Sequence, residues 1–490
     1  MVHSAMIQMA ALAVMTAAVA PAFAGETDQL PAPTEQAVAE VSGTISLADV
    51  VALTLERSPD LASFSWDIRA AEARQIQARL RPNPELLLAI EDVRLGSGPG
   101  TRTTETALGL SGAAASVQAE RARESGAGSG FREAEFTISL AQLIELGGKR
   151  AKRIELAARD RDVAAWDYEV ARADVLLNAA QAFVAVLAAR ERLALDNELV
   201  QLAQQELDTV SARVKAGRVS PLEATRAQST LSIARAEANA SVGRLESARS
   251  ALAATWGDTE PRFERAEGRL DVIRAVPPLD ELRGRIRSNP ELARWHAELE
   301  KREAAIAVER ANAAPDVTVQ AGFRALGTPE GDAQGFGLGS DGVSVFKANS
   351  RSDSRWENSV VLGVSVPLPL FNRNQGSILE AERLASKGGD QRRAASVQAH
   401  ARLARAYQQL STAYAAILSL RDTILPAATE ILESVTNAYK QGKVGYLDVL
   451  DAQRTLFQAR QQYLDSLAGY HQSVAEIERT IGEPIWKEEK

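Results

Sequence analysis

The chain is written twice. Arg57-Ser58-Pro59-Asp60-Leu61 and Leu80-Arg81-Pro82-Asn83-Pro84 recur as Arg287-Ser288-Asn289-Pro290-Glu291-Leu292 and Asn312-Ala313-Ala314-Pro315-Asp316, with the prolines 25 residues apart inside each copy and 231 apart between copies. Further on, Gly217-Arg218-Val219-Ser220-Pro221-Leu222-Glu223, followed by Ala227-Gln228, returns 225 residues later as Gly442-Lys443-Val444-Gly445-Tyr446-Leu447-Asp448, followed by Ala452-Gln453. A duplicated unit of this size restricts the chain to an internally symmetric architecture. A catalytic pocket needs no such doubling.

Export precedes folding. Residues 1–24 hold every methionine of the chain and an apolar run, Ile7 to Ala20, that ends in Ala22-Phe23-Ala24. This reads as a secretory signal with a small-x-small cleavage site, and a short buried helix is the alternative. Beyond it no run of about 18 apolar residues offers a transmembrane helix. With no cysteine there is no disulfide, no thiolate metal site and no lipid acceptor, so an exported product is not a lipoprotein. The net charge of −8, with both signs interspersed, argues against nucleic acid as a partner.

Residues 25–44 lack periodicity and read as a flexible leader. The first repeat spans 45–257 and opens with a helix from Ser46 to about Leu80, locally broken at Pro59; the second spans 278–482, with its helix running from Leu279 to about Ala313. A linker, 258–277, separates them and a tail, 483–490, follows. After each second proline the period changes to two. Val317, Val319, Ala321, Phe323 and Ala325 alternate with polar or small residues, and Val360, Leu362, Val364 and Val366 do the same. Copy one offers Leu86 to Leu95 and Phe136, Ile138, Leu140. Each copy thus carries a strand pair, 86–146 and 317–370, joined by a long polar loop, as in a membrane-spanning hairpin or an ordinary exposed one.

Long helical hairpins follow, 149–256 and 375–481. Val175, Ala179, Ala182, Val186, Ala189 and Leu193 keep a 3.5-residue beat, as do Leu403, Ala406, Leu410, Ala413, Ile417, Leu420, Ile424, Ala427 and Ile431. The first rod should be about 100 Å long. Pro426 lies inside the second and should bend it.

Four strands cannot close a barrel, and in lipid every strand edge must be paired, so several subunits must each contribute theirs. Here the chain resembles the TolC-like outer-membrane efflux proteins. The resemblance is carried by the two hairpin turns and by Gln142-Leu143-Ile144-Glu145-Leu146-Gly147-Gly148-Lys149-Arg150 and Pro367-Leu368-Pro369-Leu370-Phe371-Asn372-Arg373-Asn374-Gln375-Gly376, which look most like the CzcC-type branch serving heavy-metal exporters of the resistance-nodulation-division (RND) class. It implies a mainly α fold with a β-barrel part, a homotrimer forming one 12-stranded barrel and a periplasmic α-helical tube. The implied location is the outer membrane of a Gram-negative bacterium, in contact with outer-membrane lipid. The implied partners are a periplasmic adaptor and an inner-membrane RND pump.

The resemblance assigns Asp448 and Asp451, with Glu223 as the copy-one counterpart, to the periplasmic aperture, where rings of carboxylates favour cations. The alternative is that Asp448 only complements a helix dipole and Asp451 is solvated. Gly217, Val219, Ser220, Leu222, Gly442, Val444, Gly445, Tyr446 and Leu447 become adaptor-docking hairpin tips; reversing the chain at a glycine is the plainer role. Val444 stands where the family has a gate arginine, so that restraint is in question. Lys149, Arg150 and Arg373 are expected at the membrane interface, where basic side chains can snorkel. His296, His400 and His471 are widely separated, so no metal site or other cofactor is expected within one subunit. The reading is a passive exit duct, not an enzyme, for divalent cations. A drug, solvent or type I secretion duct, or a secreted coiled-coil scaffold or adhesin, stays open.

Overall fold

A computed structural model describes residues 43–91, 135–327, 338–339, 342–343 and 356–486. The signal peptide, nearly all of the leader, most of both strand-connecting loops and the last four residues lie outside these. In chain order the elements are β1 (Thr44–Ile45), α1 (Leu47–Arg57), α2 (Pro59–Arg79), β2 (Glu85–Glu91), β3 (Glu135–Ile144), α3 (Lys149–Lys215), α4 (Pro221–Ala254) and β4 (Arg265–Ala266). The second copy supplies α5 (Leu279–Arg285), α6 (Pro290–Asn312), β5 (Val317–Gly327), β6 (Leu338–Gly339), β7 (Gly342–Val343), β8 (Trp356–Ser365), α7 (Gln375–Ser419), α8 (Leu425–Lys440) and α9 (Tyr446–Ile481). The fold is mainly α with one substantial sheet, as the periodicities require.

Local signals place the helix starts. Ser46 caps α1 and receives the reciprocal bond from Asp49, whose carboxylate accepts the Ser46 amide at 2.9 Å. Asn289 caps α6, accepting the Leu292 amide at 3.0 Å, and Pro290 follows where no amide is needed. The Asn289 amide nitrogen also donates to the carbonyl of Thr480 at 2.7 Å, so one buried side chain both starts a helix and ties it to the end of α9.

The four long strands form an antiparallel sheet in the order β2-β3-β5-β8. The copies therefore meet at its centre, through the β3–β5 pairing, and β2 and β8 are its edges. Register makes one face largely apolar, with Gln142 and Asn358 as the polar residues on it: Leu88 opposes Ile138, Ile138 opposes Phe323, and Phe323 opposes Val360. All four side chains are exposed. The opposite face holds Thr137, Ser139 and a Glu135–Arg324 ion pair at 2.6 Å, all well covered. Alternation of period two puts these two chemistries on opposite sides of one sheet.

The main core lies where the rods cross the short segments. Phe183, Leu187, Leu252, Phe263, Leu282, Leu403, Leu410, Leu467, Tyr470 and Ile477 pack there. By composition α3 contains a stretch long and apolar enough to cross a membrane, which differs from the sequence expectation. That stretch includes Val175, Ala179, Phe183, Val186 and Leu187, which are buried in packing with the rest of the chain.

Three expectations change. The segment 258–277 is not a loose linker, because Phe263 and Leu270 are buried and β4 pairs in parallel with β1. Residues 483–486 are no free tail: Ile485 is buried and the Arg285 guanidinium binds Glu483 at 2.5 Å and the Ile485 carbonyl at 2.7 Å. The second rod does not hold its seam past Leu420. A π-helical turn, Leu420–Ile424, precedes Pro426. A π turn inserts one residue, which relieves the ring clash and turns the helix by about 100°. Ala428 is then buried in place of Ala427, and Ile424 and Ile431 are exposed.

Replacing Asn289 by Ala should lower stability by about 2 kcal/mol through loss of the cap and an orphaned Thr480 carbonyl. Asn289→Ser keeps a capping oxygen and should fall between. Thermal unfolding followed by circular dichroism measures both.

Candidate functional site

The two rods reverse direction at the same end, and both reversals use the same hydrogen bonds. Gly217 donates to Val214 and Arg218 to Arg213, each at 2.9 Å; Gly442 donates to Tyr439 and Lys443 to Ala438, each at 2.9 Å. This double closure needs a left-handed residue, and Gly217 and Gly442 have φ of 70° and 74°. Helices restart at once. Ser220 accepts the Leu222 amide at 3.2 Å, and Asp448 accepts the Gly445 amide at 2.9 Å.

Of the residues assigned to the aperture, Asp448 and Asp451 are exposed and one turn apart on α9. Asp448 also closes its own helix start. Glu223 faces inward instead and accepts the Tyr439 hydroxyl at 3.1 Å. Of the apolar docking candidates, Leu222 and Leu447 are more than half exposed, and Val219 and Val444 are half-buried. Tyr446 is not available to a partner: it is 2% exposed and packs inside the tip.

That interior was not legible as a site. Val210, Ala227, Tyr439, Tyr446 and Val449 are buried together, with Leu207, Val214 and Val435 against them. The two tyrosine rings are 5.8 Å apart. Arg213 donates to the Tyr439 carbonyl at 2.7 Å and holds its guanidinium 4.3 Å from the Tyr439 ring centre. The Tyr446 hydroxyl reaches Glu206 at 3.4 Å. Burial pushes both tyrosines well above the ordinary phenol range, and the acids beside them add to this. Burial also raises Glu206, to about 7, against the smaller opposing pull of the Tyr446 hydroxyl. The one sequence clue is that two of only seven tyrosines bracket a single glycine turn.

At the sheet end of the rods, Lys149 departs from expectation. It is buried and paired with Asp316 at 2.7 Å, so it joins the two copies and cannot reach headgroups. Arg150 is half-buried and Arg373 exposed. Leu368, Leu370 and Phe371 protrude beside Arg373, Phe371 being 91% exposed. Among the described residues no group of three His, Cys, Asp or Glu is placed to hold a metal ion.

The model of the outer membrane efflux protein family matches residues 50–258 and 285–483. The chain is 32% identical over 443 residues to the cobalt-zinc-cadmium resistance protein CzcC of Cupriavidus metallidurans, covering 90% of this chain and 91% of that protein. Its fold is similar to that of a membrane protein from Pseudomonas aeruginosa, with a TM-score of 0.66 at 19% identity, covering 89% of this chain and 90% of that one. It is similar as well to the outer membrane protein VceC of Vibrio cholerae, with a TM-score of 0.63 at 17% identity, covering 90% and 97%.

The tip contacts predict unequal losses. Tyr439→Phe removes only the hydroxyl bond to Glu223 and should loosen the tip by about 1 kcal/mol, whereas Arg213→Ala removes the carbonyl and ring contacts together and should cost about 2 kcal/mol. Rates of tryptic cleavage at the exposed Lys440 and Lys443 should rise in that order.

Proposed function

Because the chain belongs to the outer membrane efflux protein family, in its CzcC-type branch, we propose that it is the outer-membrane duct of a three-part RND efflux machine and carries divalent metal cations. The observation that carries this is the four-stranded sheet with a largely apolar face and, among the described residues, two unpaired edges. Lipid suits that face. In hydrocarbon, unpaired edge amides and carbonyls each cost several kcal/mol, so β8 of one subunit pairs with β2 of the next. Three copies close the barrel, with the polar face inward and the paired rods continuing as a tube into the periplasm. The protein performs no reaction of its own; it lowers the barrier to crossing by providing a continuous aqueous path.

The far tips form the periplasmic mouth. There, three copies of Asp448 and Asp451 make two rings of negative charge one helical turn apart, which raise the local concentration of cations and repel anions. Leu222 and Leu447 present apolar contacts to the adaptor, and the polar turns around Gly217 and Gly442 set their spacing. An inner-membrane pump supplies the energy. Cobalt, zinc and cadmium are the assigned cargo, since the 32%-identical relative is named for resistance to these metals. At the other end of the rods, Arg150 and Arg373 meet lipid headgroups beside the protruding Leu368, Leu370 and Phe371.

Reconstitution in planar bilayers tests the duct and its acids. The wild type should conduct and prefer cations. Asp448→Asn/Asp451→Asn keeps a capping oxygen on α9 while removing both charges, and should lower the cation-to-anion permeability ratio severalfold. Unchanged selectivity would remove the two acids from the mouth. In cells, deleting the gene should raise sensitivity to cobalt, zinc and cadmium salts and leave sensitivity to apolar drugs unaltered; growth inhibition measures this.

A further inference from the structure

One ion pair of the sheet has no part in the rings at the mouth. Among the described residues the four long strands hold five charged side chains, Glu85, Glu91, Glu135, Glu357 and Arg324, so Arg324 is their one base. Register places all five in cross-strand rows of the polar face: Glu91, Glu135, Leu326 and Glu357 share one row, Thr137 and Arg324 the next, and Glu85 lies nearer the rods beside Ala141. The acid row is the end of the sheet far from the rods, since β3 runs ten residues from Glu135 to Ile144, about 34 Å, before α3 begins. Arg324 reaches diagonally from β5 to β3 and meets Glu135 at 2.6 Å, both side chains being well covered. Joining two strands does not call for charge here, because an apolar pair of similar volume would hold them at least as well. A guanidinium also keeps its charge at any working pH. Charge fixed in the wall of an aqueous path acts on every ion that passes.

We propose that Glu135 and Arg324 set the charge selectivity of the outer end of the duct, Glu135 cancelling a basic ring that would otherwise oppose the exit of cations. The inference rests on the duct reading, which turns the polar face toward the lumen. Three copies of Arg324 alone would form a positive ring just short of the exit, and such a ring resists cations. Glu135 removes that barrier at contact distance. Glu91, exposed in the same row, then leaves the exit net negative. The duct thus selects at both ends, through Asp448 and Asp451 at the mouth and through this row at the exit.

The test measures the cation-to-anion permeability ratio of the full-length protein in planar bilayers, in potassium chloride near about 0.1 M, where screening reaches about 10 Å. The pH is held at about 8.5, where carboxylates are ionised. Glu135→Gln leaves Arg324 uncompensated and should lower the ratio by about twofold or more. Arg324→Gln leaves Glu135 uncompensated and should raise it. Glu135→Gln/Arg324→Gln removes both charges and should return it to the wild-type value. At about 1 M salt, with screening cut to about 3 Å, the two single variants should draw together. A pair that only fastened β3 to β5 would not move the ratio in opposite directions. Single variants that conduct with unchanged ratios, or that shift the same way, therefore overturn the inference. Should Glu135→Gln form no channels, Arg324→Gln decides alone, and a ratio that fails to rise overturns it. Wild-type protein without conductance sinks the duct reading itself; conducting wild type with single variants that do not diverge sinks the outer filter alone.

Discussion

An open sheet with one greasy face sets the terms for everything else in this chain. Among the described residues β2 and β8 have a hydrogen-bonded strand on one side only, and an apolar row crosses the sheet from Leu88 through Ile138 and Phe323 to Val360. In water that face would associate without specificity; in lipid it is satisfied, but the edges then become intolerable. Only closure by further strands answers both demands, and bacterial barrels begin at about eight. The duplication supplies two long strands per copy among the described residues, so the sheet of a single chain reaches half that number. The pairing of β3 with β5 joins the copies at the sheet's centre and leaves one edge from each copy free to meet a neighbour.

The same doubling builds the rods and lets them differ. In copy one α3 runs for 67 residues without interruption. Its counterpart is divided by the π turn ahead of Pro426. Alanine at many seam positions allows close approach in both, so the packing surface is shared while the phase is not. Past the π turn the exposed Ile424 and Ile431 point away from their own chain. A surface of that kind suits the neighbouring subunit of the proposed trimer, where apolar burial is available again. Buried polar pairs then fix relative position along the rods. Asp196, 2% exposed on α3, accepts from Ser241 of α4, and Lys149 ties α3 to Asp316 of the other copy.

Features dictated by a few consecutive residues were legible in the sequence. Ser46, Asn289 and Ser220 begin helices because their side chains reach amides two or three residues on, and Gly217 and Gly442 end them because only glycine takes positive φ without cost. The four long strands were readable from alternation, but only in part: β8 begins at Trp356, four residues before the alternating run at Val360, and β3 runs on to Ile144, four residues past Leu140. Features that depend on what arrives from elsewhere were not. Lys149 looked like an interfacial cation until Asp316 was brought beside it from the other copy. Tyr446 looked like a docking residue until it was found packed against Tyr439 and Glu206, and the seam past Leu420 failed because a proline can be absorbed by widening a helix as well as by bending it. The acids were visible as residue types. Which of them face water and which face tyrosine was fixed by packing.

That division of the acids shapes what the mouth can do. Asp448 sits at the first turn of α9, where free amides carry partial positive charge and one of them is already bound to its carboxylate. Part of its field is therefore spent on the helix. Asp451, one turn further on and exposed, lies beyond most of that compensation and, in the proposed mouth, would present the stronger charge to the lumen. A cation moving outward would meet one weaker and one stronger ring in succession. Conduction requires sites that attract an ion without retaining it, and adjacent rings of unequal strength meet that requirement better than one deep well. Glu206 and Glu223 add nothing to this path while they point at Tyr446 and Tyr439.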